Sequence, residues 1–188
     1  FSLATSKVLT GLGGALMVSN DESFLHRILT MAYQGIDLTG GAGILLAGGN
    51  FKMNDINAAI AIEQLRRAKE IFGRRRRLKE FYDLELADLE ESGKLKMQSC
   101  SGEPVVTHYP IKVAKRDSLA AKMAADGIVL SRWHACHMEE FCRVNSAKAG
   151  SGLPVTEDLQ ERLTFLPFYA DLTESDIKFI AENLKGKL

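Results

Sequence analysis

The chain has 188 residues, 46% of them hydrophobic, and its 24 basic side chains balance 24 acidic ones. A chain without net charge sets up no overall field that attracts nucleic acid or an anionic membrane, so neither is expected as a partner. The sequence holds no apolar run of about 18 residues, as a membrane-spanning helix requires, and its start lacks the basic and apolar segments of a signal peptide. The sparse cysteines, Cys100, Cys136 and Cys142, indicate reduced thiols and a cytoplasmic setting.

The N-terminal segment is a loop of small residues around Lys7 that runs into a glycine-rich turn. Residues 13–20 then predict a short buried strand, because their apolar run ends in a turn. The next apolar spacing is that of a helix over 22–34, which Asn20 or Asp21 would cap by accepting a free backbone N–H. The chain therefore opens with a loop, a strand and a helix.

Residues 35–49 are rich in glycine and predict a loop. Gly35 is placed to end the preceding helix in the left-handed conformation. Glycines make the segment a poor core element, which favours a flexible loop. Phosphate binding is the alternative, but neither common glycine-rich phosphate motif occurs here.

A long amphipathic pattern over 54–91 predicts helix, with Gly73 as a place where it could bend or break. Four arginines at 74–77 lie within it. One interpretation is nucleic-acid binding, but the chain has no net charge and no aromatic residues interleave with the arginines. The favoured interpretation is a solvated helix face whose arginines pair with nearby carboxylates at Glu70, Glu80 and Asp83.

The C-terminal half begins after the polar, turn-rich stretch 92–104. The pattern then predicts, in order, a strand over 105–113, a helix over 116–126 that ends at Gly127, a strand over 128–133, a helical stretch over 154–168 and a final helix over 174–185. Thr173 and Asp176 resemble a capping box at the start of the final helix. The strand–helix–strand unit over 105–133 is a natural two-layer core.

Lys7 is the strongest candidate for chemistry. An unprotonated amine forms an imine with an aldehyde cofactor, and the freed amine can then move a proton. The segment from Phe1 to Ala15, with Lys7 followed by Gly11-Leu12-Gly13-Gly14, resembles the cofactor-lysine segment of the DegT/DnrJ/EryC1/StrS family of sugar aminotransferases. In that family the lysine holds pyridoxal 5′-phosphate (PLP) as a Schiff base, and a serine five positions earlier, here Ser2, binds its phosphate. The family usually has glutamate where this chain has Leu12.

Two further segments carry the resemblance along the whole chain. Residues 49–60 (GNFKMNDINAAI) are similar to the stretch in which an asparagine, here Asn50, reaches the cofactor phosphate of the neighbouring subunit. The family usually has arginine in place of Lys52. Without the resemblance, Asn50 is interpreted as a turn residue before a helix cap. Residues 166–173 (LPFYADLT) resemble the stretch before the family's last helix.

The sequence Trp133-His134-Ala135-Cys136-His137 supports two interpretations. Family members often have a histidine near the sugar-nucleotide site here, and His137 matches that position best. Alternatively, His134, Cys136, His137 and Cys142 could bind zinc, whose ligands are sulfur and imidazole, although their spacing fits no common zinc pattern. A buried thiol beside hydrogen-bonded histidines is more common than either site.

The resemblance implies an α/β fold, the C-terminal part of a fold type I PLP-dependent transferase. Residues 1–91 would complete the PLP-binding large domain through a long linking helix, and residues 92–188 would form a small α+β domain. The implied activity transfers an amino group from an amino acid, glutamate or glutamine with glutamate favoured, to a nucleotide-linked keto-sugar in a homodimer with shared active sites.

The same resemblance leaves two alternatives open. The family's acidic partner of the pyridine nitrogen, its ring-stacking residue and its main phosphate loop all lie upstream of Phe1. The chain could therefore be a catalytically incomplete fragment or oligomerisation module, which we expect to aggregate or self-associate through uncovered apolar surface. It could also be one member of a complementing pair, with a separate polypeptide carrying the N-terminal half.

Overall fold

The computed structural model describes residues 1–41, 43–132 and 154–188. The chain divides into two compact units, Phe1–Ile71 and Phe72–Leu188. We call them the N-terminal unit and the C-terminal unit. Their division lies inside a long helix, and the domain assignment of 1–91 and 92–188 stays a prediction. Every described helix is too short or too polar to cross a membrane.

The first helix, α1, spans Glu22–Ala32. The Asp21 carboxylate caps it by accepting from the Phe24 N–H at 3.0 Å, as predicted for this position. The helix ends two residues earlier than predicted, because Gln34 and Gly35 both take left-handed φ angles, 65° and 78°. Gly35 is thus confirmed as a stop residue, with Gln34 sharing the turn.

The strand predicted over 13–20 is wrong. Within it, Ala15 alone pairs with another segment, forming a bridge to Ser2. The Leu16 N–H donates to the Phe1 carbonyl at 2.8 Å, and the Leu3 N–H donates to the Gly14 carbonyl at 3.0 Å. Backbone partners are therefore present for the first residues of this segment and not for its end, so the extended chain does not continue as a strand.

The glycine-rich loop folds back on the end of α1. The Gly49 N–H donates to the Met31 carbonyl at 3.0 Å, and the Gln34 N–H donates to the Gly49 carbonyl at 3.1 Å. At Gly35 a Cβ would lie 1.8 Å from the Leu46 carbonyl oxygen, so only glycine fits. The glycines predicted to give flexibility here allow close backbone approach and a hydrogen-bonded loop.

The long helical pattern forms two helices, α2 (Asp55–Arg66) and α3 (Ala68–Glu91). The break falls at Arg67, where ψ is 3°. Gly73, the predicted break, lies inside α3 and is helical. A glycine costs a helix interior only about 1 kcal/mol, and the apolar face of α3 that follows it is buried in the C-terminal unit.

The C-terminal unit contains a three-stranded antiparallel sheet with the order β1-β2-β3. Its elements are β1 (Leu95–Met97), β2 (Tyr109–Val113), α4 (Arg116–Ala125), α5 (Pro154–Arg162), β3 (Leu163–Leu166) and α6 (Glu174–Lys187). Lys96 pairs with Lys112 across β1 and β2, and Ile111 pairs with Thr164 across β2 and β3. Strand β2 begins four residues later than predicted.

Of two further predicted elements in this unit, the helix is right over its first part only and the strand is wrong over its described residues. The helix predicted over 154–168 stops at Arg162, and its apolar end pairs with β2 as strand β3. A short apolar run does not by itself distinguish helix from strand, and the edge of β2 decides. Residues 128–132 form no strand, since Ser131 alone bridges to Phe165. Residue 133 lies outside the described residues.

The core of the C-terminal unit lies between α3, one face of the sheet and helices α4 and α6. It contains Leu78, Tyr82, Leu86, Leu89, Leu95, Tyr109, Ile111, Val113, Leu119, Met123, Ile128, Leu166, Leu172, Ile177, Ile180, Ala181 and Leu184. The rings of Tyr82 and Tyr109 stack with centroids 4.5 Å apart. Their hydroxyls donate to the Pro167 carbonyl and to Asp83, both at 2.8 Å. Burial raises the pKa of both tyrosines, which remain neutral donors.

The arginines at 74–77 differ from their predicted role. Arg75 is half-buried and donates to the carbonyls of Val106 and Thr107 at 3.3 and 3.2 Å. Its guanidinium also lies 5.4 Å from the Phe168 ring centroid. Arg74 and Arg76 form ion pairs with Asp171 and Glu103, two partners that the sequence pattern did not indicate. The run therefore ties α3 to distant segments of its own unit.

Candidate functional site

Lys7 lies on a closed loop, residues 1–16, which we call the lysine loop. Its two ends are joined because the Phe1 nitrogen donates to the Leu16 carbonyl at 2.7 Å and the Leu3 N–H donates to the Gly14 carbonyl at 3.0 Å. The Lys7 N–H donates to the Ala4 carbonyl at 3.0 Å, which forms a turn. The Lys7 side chain is exposed. The Lys7 amine is thus carried by a loop whose ends are joined by backbone hydrogen bonds.

Ser2 is on the same loop, in the arm that pairs with residues 14–16. Its hydroxyl accepts from the Ala4 N–H at 3.4 Å, and the residue is exposed. Within the described residues, no carboxylate forms an ion pair with Lys7. The structure therefore brings Ser2 and Lys7 onto one loop, with both side chains open to a ligand.

The glycine turn of the lysine loop packs against α2 and the residue before its cap. A Cβ at Gly11 would lie 3.0 Å from the Asn57 carbonyl oxygen, and one at Gly14 would lie 2.4 Å from Met53 Cε. Side chains at these positions would push the loop from the helix. The glycines are thus explained by close packing, and they place the lysine loop against the segment that follows Asn50.

Asn50 lies beside the end of α1. It forms an isolated antiparallel bridge with Tyr33, and the Phe51 N–H donates to the Ala32 carbonyl at 3.1 Å. The Asn50 side chain is exposed. Lys52 Nζ lies 4.5 Å from the centroid of the Tyr33 ring, a cation–π contact with the residue that bridges to Asn50.

Two carboxylates of the N-terminal unit are stabilised in their ionised form. The Phe24 N–H, followed by the Ser23 hydroxyl, lowers the pKa of Asp21. The Thr39 hydroxyl and N–H lower the pKa of Asp37. Both carboxylates accept from donors close in sequence, so they organise a helix start and a loop.

Thr10 is a half-buried residue of the lysine loop to which the sequence pattern assigned no role. Its hydroxyl donates to the Leu3 carbonyl at 3.2 Å and accepts from the Leu12 N–H at 2.9 Å. A threonine followed by glycine is a signal for a turn in which the threonine hydroxyl accepts from the N–H two residues later. The bond to Leu3 joins residues seven apart, which local spacing does not indicate.

The predicted sugar-site residue His137 lies outside the described residues, as do His134, Cys136 and Cys142 of the zinc alternative. In the described part of the chain, no cluster of histidine, cysteine or acidic residues could hold a metal ion. Cys100 is exposed and has a free thiol. The described candidate site therefore consists of Ser2, Lys7 and Asn50.

The sequence profile of the DegT/DnrJ/EryC1/StrS aminotransferase family matches residues 1–185. The chain belongs to this family. Members of the family are PLP-dependent, and the predicted cofactor is confirmed at that level. An exposed primary amine on a hydrogen-bonded loop, with an exposed hydroxyl on the same loop, fits an aldehyde cofactor that carries a phosphate.

Solved structures match the fold over nearly the whole chain. The aminotransferase TlmJ from Streptoalloteichus hindustanus has a TM-score of 0.85 at 22% identity, with 99% of this chain and 50% of that chain covered. The sugar aminotransferase CalS13 from Micromonospora echinospora has a TM-score of 0.81 at 26% identity, with 100% and 51% covered. The GDP-4-keto-6-deoxy-D-mannose-3-dehydratase of E. coli, solved with hydrated PLP, has a TM-score of 0.85 at 19% identity, with 98% and 53% covered.

These matches confirm the expected fold class, a partial α/β fold type I transferase. The chain spans about half the length of the solved structures that it matches. Because the other half of each structure has no counterpart in the 188 residues, activity and substrate belong to a proposal about the whole protein.

Proposed function

We propose that the protein containing this chain is a PLP-dependent aminotransferase that transfers an amino group from an amino acid, with glutamate as the expected donor, to a nucleotide-linked keto-sugar. The observation that carries the proposal is Lys7, an exposed amine on the closed lysine loop of a chain that belongs to this family. The sugar aminotransferase CalS13, matched over the entire chain, supports a sugar as the acceptor.

Lys7 has two roles in this proposal. Its unprotonated amine would hold the cofactor by condensing with its aldehyde, with loss of water, and the same amine, once freed, would move a proton at the reacting carbon. PLP, when bound, supplies the electron sink for the reaction. Related dehydratases in this family carry histidine in place of the lysine, so Lys7 favours amino transfer.

The remaining residues bind and orient. Ser2 holds the cofactor phosphate from within the lysine loop, and Asn50 reaches the phosphate bound by a partner subunit, which makes the enzyme a homodimer with shared sites. His137 contacts the sugar nucleotide. The exposed side chains of Ser2 and Asn50 support these roles. A cytoplasmic location remains the expectation from the cysteine usage.

Reduction with borohydride in the presence of PLP, followed by peptide mapping, tests the central role. We expect one reduced PLP adduct, on Lys7, that Lys7→Arg abolishes. Lys94→Arg is the matched control, because Lys94 is also exposed but lies in the C-terminal unit, and it should leave the adduct intact. Scattered labelling of many lysines would show that the isolated chain has no selective site.

A second candidate function is favoured by a separate observation. Of the described residues, most exposed large hydrophobic side chains lie in the N-terminal unit, including Leu16, Met17, Val18, Ile44, Phe51, Ile56 and Leu65. Exposed apolar surface on this scale marks an interaction site. The chain alone would then be a catalytically incomplete fragment or oligomerisation module, or one member of a complementing pair with a separate N-terminal half.

Light scattering of the purified chain tests this second candidate. We expect self-association or aggregation, because water-exposed apolar side chains gain free energy when they are covered. Co-purification of a second polypeptide, together with a selective Lys7 adduct, would support the complementing pair. A stable, monodisperse monomer would contradict the expectation that this surface needs a partner.

A further inference from the structure

Besides the bonds that join its ends, the lysine loop is closed by bonds to the Leu3 carbonyl. This oxygen accepts from the Gly11 N–H at 2.9 Å, the Gly13 N–H at 3.2 Å and the Thr10 hydroxyl at 3.2 Å. Leu3 is also the only buried hydrophobic residue among those described in the N-terminal unit. The two arms of the loop that flank Lys7 therefore meet around Leu3.

Thr10 is the side chain that joins these arms. Its hydroxyl donates to the Leu3 carbonyl on the arm before Lys7 and accepts from the Leu12 N–H, at 2.9 Å, on the arm after it. A hydroxyl has one proton to donate and lone pairs to accept, so it serves both bonds at once. Valine has nearly the shape of threonine and can form neither bond.

Leu12 takes a conformation that needs such support. Its φ is 61°, in the left-handed region that residues with a Cβ rarely adopt. Its side chain is 57% exposed, so packing does not hold it there. The bond from its N–H to Thr10 is a local contact that stabilises this turn.

We propose that Thr10 is a positioning residue for Lys7, acting through the closure of the lysine loop. Lys7 lies between the two arms that the Thr10 hydroxyl helps to join. Losing that hydroxyl removes one bond between the arms and the support of the turn at Leu12, while the backbone bonds between the arms remain, so the arms are held less firmly and the amine samples more positions. A less restricted amine reacts less efficiently with a bound aldehyde, because it loses more conformational entropy on reaching the reactive geometry. The proposal rests on the proposed role of Lys7.

The test compares Thr10→Val, which removes the hydroxyl, with Thr10→Ser, which keeps it. The first measurement is the PLP concentration that gives half-maximal borohydride-trapped adduct on Lys7, in the same form of the protein for all variants. With two hydrogen bonds lost, Thr10→Val should raise this concentration about tenfold. Thr10→Ser should stay within about threefold of the unchanged protein, because serine keeps the hydroxyl that forms both hydrogen bonds.

The second measurement is amide hydrogen exchange at Gly11, Leu12 and Gly13, which requires no cofactor. Faster exchange in Thr10→Val and near-normal exchange in Thr10→Ser are expected. Equal exchange and equal trapping in all three proteins would overturn the proposal, as would the same loss in both variants, because that would indicate side-chain packing and not the hydroxyl.

The failure of the proposed function is distinguishable from the failure of this inference. If the unchanged protein forms no selective adduct, Lys7 has no cofactor role in this chain, and the positioning of Lys7 for PLP is overturned with it. If the adduct forms but Thr10→Val leaves both measurements unchanged, Lys7 keeps its role and Thr10 loses the one proposed here.

Discussion

The N-terminal and C-terminal units hold their structure by different means. In the C-terminal unit, helices α3, α4 and α6 and the sheet bury a continuous apolar core that includes Tyr82, Leu86 and Ile177, each with 0% exposure. In the N-terminal unit, Leu3 is the one hydrophobic residue that the described structure buries. Its loops are held by backbone hydrogen bonds and glycine contacts instead.

The apolar core and the proposed cofactor-binding residues therefore lie in different units. Burial of apolar area is the main source of folding free energy, so the C-terminal unit should supply most of the chain's stability. The described residues proposed to act on the cofactor, Ser2, Lys7 and Asn50, all lie in the N-terminal unit.

The largest expected effect on stability comes from truncating a buried helical leucine, compared with truncating an exposed helical leucine in the other unit. Leu86→Ala in α3 should lower the free energy of unfolding by about 2–5 kcal/mol, because it leaves a cavity in the core. Leu65→Ala in α2 is the matched control, since Leu65 is a helical leucine with 60% exposure, and it should change stability by about 0.5 kcal/mol or less. Urea unfolding followed by circular dichroism measures both.

Equal losses for the two substitutions would break the comparison. That result would mean that the exposed face of α2 is covered in solution, by self-association or by a partner. Repeating the measurement over a range of protein concentrations identifies self-association, because its contribution to stability depends on concentration.

A smaller effect is expected at the cap of α6. The Thr173 hydroxyl and Asp176 carboxylate form the predicted capping box, which the structure confirms. Thr173→Ala should cost about 1 kcal/mol, whereas Thr173→Ser should cost little because serine caps equally well. Denaturant midpoints for the two variants check this difference, and a loss with serine as large as with alanine would contradict the role of the hydroxyl.

The same cap gives the C-terminal unit a pH dependence. The Thr173 hydroxyl, followed by its N–H, lowers the pKa of Asp176 from its usual 3.8. A lowered pKa in the folded state means that the ionised carboxylate stabilises the fold above about pH 4, and that this contribution is lost as the pH falls through the folded pKa. Asp176→Asn should thus be less stable than the unchanged protein at pH 7, with the difference shrinking below pH 4. A difference that does not change with pH would contradict it.

The smallest expected effects come from replacing a glycine by alanine, which should stabilise the C-terminal unit and loosen the N-terminal unit. At Gly73 a Cβ would meet only Arg77 Nη1, at 3.8 Å, so Gly73→Ala in α3 should raise stability by about 0.5–1 kcal/mol. At Gly11 a Cβ would lie 3.0 Å from a backbone oxygen of α2, so Gly11→Ala should loosen the lysine loop. Thermal unfolding measures the first, and amide exchange at Gly13 measures the second. Stabilisation by both substitutions would show that the loop does not pack against α2 as described.

Local patterns in the sequence predicted much of the fold. The cap at Asp21, the left-handed stop at Gly35 and the capping box before α6 depend on residues within a few positions of one another, and all three are confirmed. The family and the partial fold type I architecture could be recognised because three motifs occur in order along the chain. The roles of Ser2, Lys7 and Asn50 stay predictions.

The errors share a physical cause. Residues 163–166 are a strand and not a helix because β2 offers an edge with free backbone groups, and residues 13–20 are not a strand because partners lie along only part of them. Arg75 binds carbonyls more than 30 residues away, which charge spacing along a helix does not indicate. Strand pairing and long-range contacts depend on which segments meet, and one segment's pattern does not contain that information.

The sequence by itself determined the family, the cofactor lysine as a candidate, the helix caps at Asp21 and Thr173 and the stop at Gly35, because each rests on residue identity or on neighbours along the chain. Only the tertiary structure decided that bonds to Leu3 help to close the lysine loop and that Thr10 links its two arms. It also decided that apolar side chains are buried in the C-terminal unit and mostly exposed in the N-terminal unit. Those features come from backbone groups and apolar surfaces finding, or not finding, partners in space.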